Sequence, residues 1–391
     1  MILPGAVLGV VGGGQLGRMF TMRAREMGYR VVVLDPDHNS PAGAVADQHL
    51  AAQHDDELAL ADLANSCAAI TTEFENVPAS VLVWLAQRRP VRPGPEPVAI
   101  AQDRISEKDF LAARGFPTVA WHAIRGPGDL EPGWAAVGSP AIIKTAQLGY
   151  DGKGQAPVSD PAALTEAHRR LRGVPCIIEQ RLELEAELSV VLARGSDGSV
   201  ACFPPAENVH VGGILNTSTV PARVSERLAG RALELSVSLA EELDYVGVLA
   251  VELFVTAGDL LINEFAPRPH NSGHFSLDAC VTDQFEQQVR ALCELPLGDP
   301  RLISPVTMVN LLGDLWLQGP PPWHRALSHG GVKLHLYGKR HPRPGRKMGH
   351  LNCLAPDPDS SLELAQRAYR ELATAPSPVR SDHDPIGLKE R

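Results

Sequence analysis

The sequence predicts an α/β protein built from more than one unit, and three observations carry that reading. Its start runs strand, glycine-rich turn, helix, strand. Farther on, two apolar runs that each carry one carboxylate, Gly247–Val255 and Leu260–Phe265, form a hairpin pattern. Between these regions lies a proline-rich stretch, Val91–Pro97, that marks a boundary.

Ala6–Val11 is a short apolar strand leading into Gly12-Gly13-Gly14-Gln15-Leu16-Gly17. A helix is expected over Arg18–Met27, with Gly28 as its stop, then a strand over Tyr29–Leu34 that ends at Asp35. Another strand, Ala68–Thr71, precedes Thr72-Glu73-Phe74-Glu75-Asn76. This is a doubly wound, Rossmann-like start. Gly12, Gly14 and Gly17 match G-x-G-x-x-G and Asp35 stands where a ribose-binding acid would, so the literal reading is a dinucleotide site. One such match is weak evidence. The more general expectation is a helix N-terminus whose bare amides hold a phosphate.

Past the boundary, a helix is expected over Ile100–Arg114, containing Gln102-Asp103-Arg104 and Glu107-Lys108. The strand Ser139–Lys144 ends in a lysine and opens into Thr145–Gln155, TAQLGYDGKGQ. Glycines and a lysine in a polar loop after a strand suggest a flap whose amides fold over phosphates, with a plain hairpin turn as the alternative. The strand Cys176–Gln180 places Glu179 where its backbone and carboxylate would meet an adenine and a ribose, or else in a solvated acidic stretch. Phe203–Val211 holds Glu207 and His210, and a lone histidine is more often structural than catalytic. Ser225–Glu242 has the apolar spacing of a helix.

The hairpin is the centre of the argument. A three-residue loop, Ala257–Asp259, would pair Thr256 with Leu260 and set Glu252 directly opposite Glu264, their Cβ atoms roughly 5 Å apart. Like charges so placed destabilise a sheet unless both are solvated or a hard cation takes their oxygens. Asn263 supplies a further oxygen. The following loop, Pro267-Arg268-Pro269-His270-Asn271-Ser272-Gly273-His274, fixes cationic and polar side chains between prolines. A carboxylate pair beside an anion-reading loop suits phosphoryl transfer on Mg²⁺.

Downstream, Asp278–Leu295 is expected to be helical, and Val306–Leu311 and Lys333–Tyr337 to be strands. Gly338–His350 then carries seven basic or histidine side chains, among them Lys339, Arg346 and Lys347, in an otherwise acidic chain. The two readings are a solvated turn and a phosphate clamp. Ser361–Leu372 is helical, and the Pro-rich tail from Ala373 is expected to fray.

The chain has 391 residues, 44% hydrophobic and 21% charged, with net charge −10. That charge argues against nucleic acid or an anionic membrane as the main partner. No apolar run is long enough to span a bilayer, and the apolar N-terminus lacks a signal peptide's basic region. Six cysteines without a CxxC pair make neither a zinc site nor a disulfide framework, which fits a reducing cytoplasm.

The order GGGQLG, TTEFENV, QDR..EK, IIK, GYDGKGQ, EQ, ENVH, AVELF, NEFAPRPHNSGH and GRKMGH, from residue 9 to about residue 352, resembles the 5-(carboxyamino)imidazole ribonucleotide synthases, purine-biosynthesis enzymes of the ATP-grasp superfamily. GYDGKGQ and NEFAPRPHNSGH are the specific motifs. The resemblance implies an α+β grasp: a Rossmann-like unit over 1–102, a small grasp subdomain with the flap over 103–181, a large subdomain over 182–300 and a C-terminal lobe over 301–391. It implies a homodimer. ATP would lie between two antiparallel sheets, against Arg104, Lys144 and the flap residues Gly149, Tyr150, Asp151, Gly152, Lys153, Gly154 and Gln155. The strand end Glu179, Gln180, Arg181 and Leu182, with Glu187, His210, Asn263 and Glu264, would complete the nucleotide contacts. Glu252 and Glu264 would hold Mg²⁺. Gly14, Gln15 and Leu16 would contribute to the aminoimidazole ribonucleotide site. Arg268, His270, Asn271 and Ser272, with Lys339, Arg346 and Lys347, would clamp that substrate.

The implied reaction takes ATP, bicarbonate and 5-aminoimidazole ribonucleotide to the N-carboxylated nucleotide through carboxyphosphate. Asp151 would be the base, with Tyr150 and Lys153 beside it. Lysine at 153 keeps the charge of the arginine also expected there but not its bidentate fork. Glu73 would be a second acid near bicarbonate and Arg268 a further catalytic group. Three alternatives stand beside this reading. Another ATP-grasp ligase, such as a formate-dependent glycinamide ribonucleotide transformylase or a biotin carboxylase relative, would share the Mg²⁺ pair. An NAD-dependent oxidoreductase would leave Glu252, Glu264 and the flap without a role. A non-catalytic nucleotide-binding regulator would not need the complete carboxylate pair.

Overall fold

The computed structural model describes residues 1–149 and 152–373. Three sheets form among these residues. The first is parallel: Val7–Val11 lies between Arg30–Leu34 and Ala69–Thr72, and Gln48–Leu50 extends it beyond Arg30–Leu34. The second is antiparallel and orders Trp121–Ile124, Cys176–Gln180, Ala141–Thr145 and Gln155–Val158. The third has nine strands. It runs from the edge strand Asp259–Ala266 through Gly247–Thr256, Ala186–Arg194, Ala206–Val211 and Ile214–Val220 to Val306–Leu312, Lys347–Leu354 and Val332–Leu336, with Val200–Cys202 beside Ala186–Arg194. The C-terminal strands thus continue the same sheet that holds the carboxylate hairpin.

Two expected helices are broken, each by an aspartate. The helix expected over 100–114 is two, Pro95–Ala101 and Arg104–Ala113, because Asp103 accepts the amides of Ile105 (2.9 Å) and Ser106 (3.2 Å) and caps a new start. The helix expected over 278–295 is likewise Ser276–Ala279 and Gln284–Cys293, with Asp283 capping the second.

The hairpin also differs from expectation. Thr256 pairs with Asp259, so the loop is the two residues Ala257 and Gly258, both with positive φ (48° and 75°). Unbroken, that register would set Glu252 opposite Asn263. A bulge between Glu252 and Leu253 in the pairing shifts it, and Glu252 does face Glu264.

Helix Gln284–Cys293 joins the units. Phe285 and Val289 are fully buried against Leu16, Phe20 and Val31 of the N-terminal unit. Each such side chain contributes about 1.5–3 kcal/mol on burial. On the same helix Gln288 accepts the amide of Val248 (2.6 Å) and donates to Thr71 Oγ1 (3.0 Å) and the Arg92 carbonyl (3.2 Å).

Candidate active site

A cleft of about 520 Å³ opens between the second and third sheets. From the small sheet Lys144 and Glu179 point into it. Glu179 is 2% exposed, and its oxygens lie 2.5 Å from Lys144 Nζ and 3.0 Å from Lys108 Nζ. Burial alone would raise its pKa; the two ammonium groups outweigh that and hold it at about 2. The carboxylate is therefore committed to lysines, and the expected ribose contact through it is not supported. Gln180, Arg181 and Leu182 continue along the wall.

Gly149, Gly152, Lys153 and Gln155 line the cleft, whereas Gly154 does not. The Gly154 carbonyl accepts the amide of Thr145 (2.8 Å). Gly152 has φ 74°, and a Cβ there would lie 3.1 Å from the Gly212 carbonyl, so the flap approaches the turn of the facing sheet. Asp151, the expected base, and its neighbour Tyr150 lie outside the described residues.

From the large sheet come Glu187 and His210, 2.8 Å apart, and the facing pair Glu252 and Glu264. Arg104, at the start of its helix, forms an ion pair with Glu264. That guanidinium outweighs burial and holds the Glu264 carboxyl well below the usual carboxylate range. Glu252 pairs instead with His270 Nε2 (3.2 Å). Next to Glu264 in the chain, Asn263 also lines the cleft, and its Oδ1 is buried without a hydrogen-bond partner among the described residues. Among those residues no cluster of three or more His, Cys, Asp or Glu makes a complete metal cage. Two carboxylates and an unsatisfied amide oxygen nevertheless suit Mg²⁺, which takes one or two carboxylates and draws its other oxygens from phosphates and water.

The loop after Glu264 is pinned in place. Arg268 is held by both oxygens of Glu75. His270 Nδ1 lies 2.9 Å from Ser272 Oγ, which accepts from Ser189 Oγ at 2.7 Å. Ser272 is fully buried and stays off the cleft, while Asn271 lines it and exchanges hydrogen bonds with Asn310.

Two groups of expected substrate residues are placed otherwise than the sequence suggested. The amides at the first helix are not bare: Gly13 N–H donates to Asp35 (2.7 Å), and Gly14 and Gly17 N–H donate to Glu73 (2.8 and 3.0 Å). Glu73 thus fills the site expected to hold a phosphate, and burial pushes its pKa up. Gln15 starts the helix, and the Leu16 side chain packs into the core, which takes it out of substrate contact. In the basic loop only Lys347 lines the cleft. Arg346 donates to the His341 carbonyl (2.8 Å) and Lys339 to the Lys347 carbonyl (2.8 Å), so both brace the loop itself.

Sequence reasoning had assigned no role to Glu75, Glu107, Lys108 or Ser189. Glu75 stands inside the TTEFENV run and Glu107-Lys108 inside QDR..EK, so the motifs contain them without marking what they hold. Ser189 carries none.

Residues 109–285 match the ATP-grasp domain, 6–102 the ribonucleotide synthetase preATP-grasp domain and 306–364 the phosphoribosylaminoimidazole carboxylase C-terminal domain. Fold and cleft together define an ATP-grasp enzyme, an ATP-dependent ligase. The chain is 42% identical over 367 residues to the N5-carboxyaminoimidazole ribonucleotide synthase of Bacillus subtilis, spanning 93% of this chain and 95% of that protein. An N5-carboxyaminoimidazole ribonucleotide synthetase solved as its ADP complex superposes with a TM-score of 0.90 at 42% identity, over 94% of this chain and 97% of that one. The Aspergillus clavatus enzyme, solved with ADP and 5-aminoimidazole ribonucleotide, gives 0.87 at 29% identity over 94% and 98%. The chain belongs to the N5-carboxyaminoimidazole ribonucleotide synthase family.

Proposed function

We infer that this chain carries out its family's reaction, the ATP-dependent carboxylation of 5-aminoimidazole ribonucleotide in purine biosynthesis. The observation that carries the site reading is the facing register of Glu252 and Glu264 inside a cleft that also holds Arg104, Lys144 and Lys153. ATP lies in this cleft, its base end toward Glu179–Leu182 and its phosphates toward Lys144, the flap and the carboxylate pair.

Bicarbonate is the carbon source. Its oxygen attacks the γ-phosphorus, ADP leaves, and carboxyphosphate forms. The exocyclic amine of the nucleotide then attacks the carboxyl carbon, phosphate leaves, and the amine loses a proton. Glu252 and Glu264 with Asn263 would hold Mg²⁺, which when bound offsets charge on the transferring phosphoryl group. Arg104, Lys144 and Lys153 spread the same charge from the protein side. Arg268, fixed by Glu75, and His270, fixed by Ser272, orient bicarbonate, and Lys347 meets the nucleotide. Carboxyphosphate hydrolyses readily, so the flap's approach to Gly212 serves to exclude water. Asp151 remains our candidate for the base. Glu73 would take part only by leaving the amides of Gly14 and Gly17.

The remaining readings concern assembly and location. The chain is a homodimer working in the cytoplasm, in keeping with its six free cysteines. It divides into the units 1–102, 103–181, 182–300 and 301–391. ADP release tests the function: it should require aminoimidazole ribonucleotide and bicarbonate together, and equal release with formate and glycinamide ribonucleotide would overturn the assignment.

A further inference from the structure

We propose that Glu107 and Lys108 are positioning residues for Glu264, holding the backbone on either side of it. This rests on reading Glu264 as a cation ligand. Asp259–Ala266 is the edge strand of its sheet, so its outer backbone groups have no neighbouring strand at this point. Two consecutive side chains of helix Arg104–Ala113 take that place. Lys108 Nζ donates to the Asn263 carbonyl at 2.9 Å, and Glu107 Oε1 accepts the Phe265 amide at 2.7 Å. Arg104, one turn earlier on the same helix face, pairs with the Glu264 carboxylate. Three side chains at i, i+3 and i+4 thus grip three consecutive strand residues.

The grip falls on the bulge. Without the bulge at 263, Glu252 would face Asn263 and the carboxylate pair would not form. A bulge leaves its added residue outside the regular ladder, and Lys108 satisfies the carbonyl so exposed. The same ammonium donates to Thr118 Oγ1 (2.8 Å) and lies 3.0 Å from Glu179, tying the bulge to the small sheet across the cleft. Glu107 and Lys108 are each 2% exposed, and Glu107 borders the cleft itself. The Asp103 cap sets the phase of the helix and turns all three residues toward the strand.

Mn²⁺ titration of the full chain in the presence of ADP, followed by electron paramagnetic resonance, reads cation affinity without turnover. Lys108→Met and Glu107→Leu should weaken Mn²⁺ binding roughly 10- to 100-fold. Glu107→Gln keeps an oxygen for the Phe265 amide and should bind Mn²⁺ within about twofold of wild type, since the neutral acceptor preserves the contact. Wild-type Mn²⁺ affinity in both Lys108→Met and Glu107→Leu would overturn the proposal. So would a loss in Glu107→Gln as large as in Glu107→Leu, because the charge would then act on the ligand directly. Should Lys108→Met not fold, the Glu107 comparison decides alone. Glu264→Gln separates the two layers: unchanged Mn²⁺ affinity in that variant sinks the cation reading itself.

Discussion

Arg104 and Glu264 form an ion pair across the cleft, and the carboxylate so held is the one that faces Glu252. Glu252 in turn is paired with His270. Two like charges stand in facing register because each has its own cationic or hydrogen-bonding partner. A cation arriving with ATP would compete with Arg104 for Glu264.

Glu264→Gln should therefore lower ATP turnover by roughly 10²–10³-fold, the scale found when one group stabilising transition-state charge is removed. The fold should persist, since the amide can still accept from Arg104. ADP release measured beside circular dichroism checks both halves. Near-normal turnover at ordinary Mg²⁺ would refute the role.

Glu179 gives a prediction about acid stability. Its folded pKa is about 2, below the ordinary 4.5, because Lys144 and Lys108 outweigh burial. A lowered carboxylate pKa stabilises the fold above the unfolded value, and that stability is lost as pH falls through the folded one. The window is thus pH 4.5 down to about 2. Glu179→Gln leaves two ammonium groups short of a charge partner and should cost about 3–5 kcal/mol at neutral pH. Its unfolding free energy should also change less than wild type's across that window. Urea midpoints at several pH values measure both effects.

NAD(H) should not bind, despite Gly12, Gly14 and Gly17. The amides that would take a pyrophosphate already bind Asp35 and Glu73. A calorimetric titration showing micromolar NAD⁺ affinity would contradict this.

Lys347→Ala should raise the Michaelis constant for aminoimidazole ribonucleotide about ten- to a hundredfold, the equivalent of one charge-assisted contact. Arg346→Ala should act more weakly, because Arg346 stands off the cleft lining and one of its nitrogens donates to the His341 carbonyl. The ATP constant should distinguish neither variant from wild type. If Arg346→Ala has the larger effect on the nucleotide constant, the placement of this loop is wrong.

The α/β class and the facing carboxylates were legible in the sequence, and the second came by a partly mistaken route. Alternation predicted Glu252 opposite Glu264 through a three-residue loop; the chain makes a two-residue turn and restores the register with a bulge. No local pattern marks that bulge, because its partner, Lys108, arrives from far earlier in the chain. Asp103 was a readable cap, masked by apolar spacing that runs on through it. Glycine spacing announced a helix N-terminus, but whether its amides stay open depends on Glu73, which reaches them only when the parallel strands align. In the basic loop composition could not tell Lys347, which faces the cleft, from Arg346, which folds back on its own loop.

The continuity of the large sheet bears on how the chain is made. Ile214–Val220 borders Val306–Leu312, a strand that comes much later in the sequence. While the protein is being synthesised, at about 5–20 residues per second, that border stays open until residues through Val309 have left the ribosome. For several seconds the nascent grasp presents a strand edge, the kind of surface that recruits other chains. The last quarter of the polypeptide is thus what covers that border, and a ribosome stalled before it would release an aggregation-prone fragment instead of a smaller working enzyme.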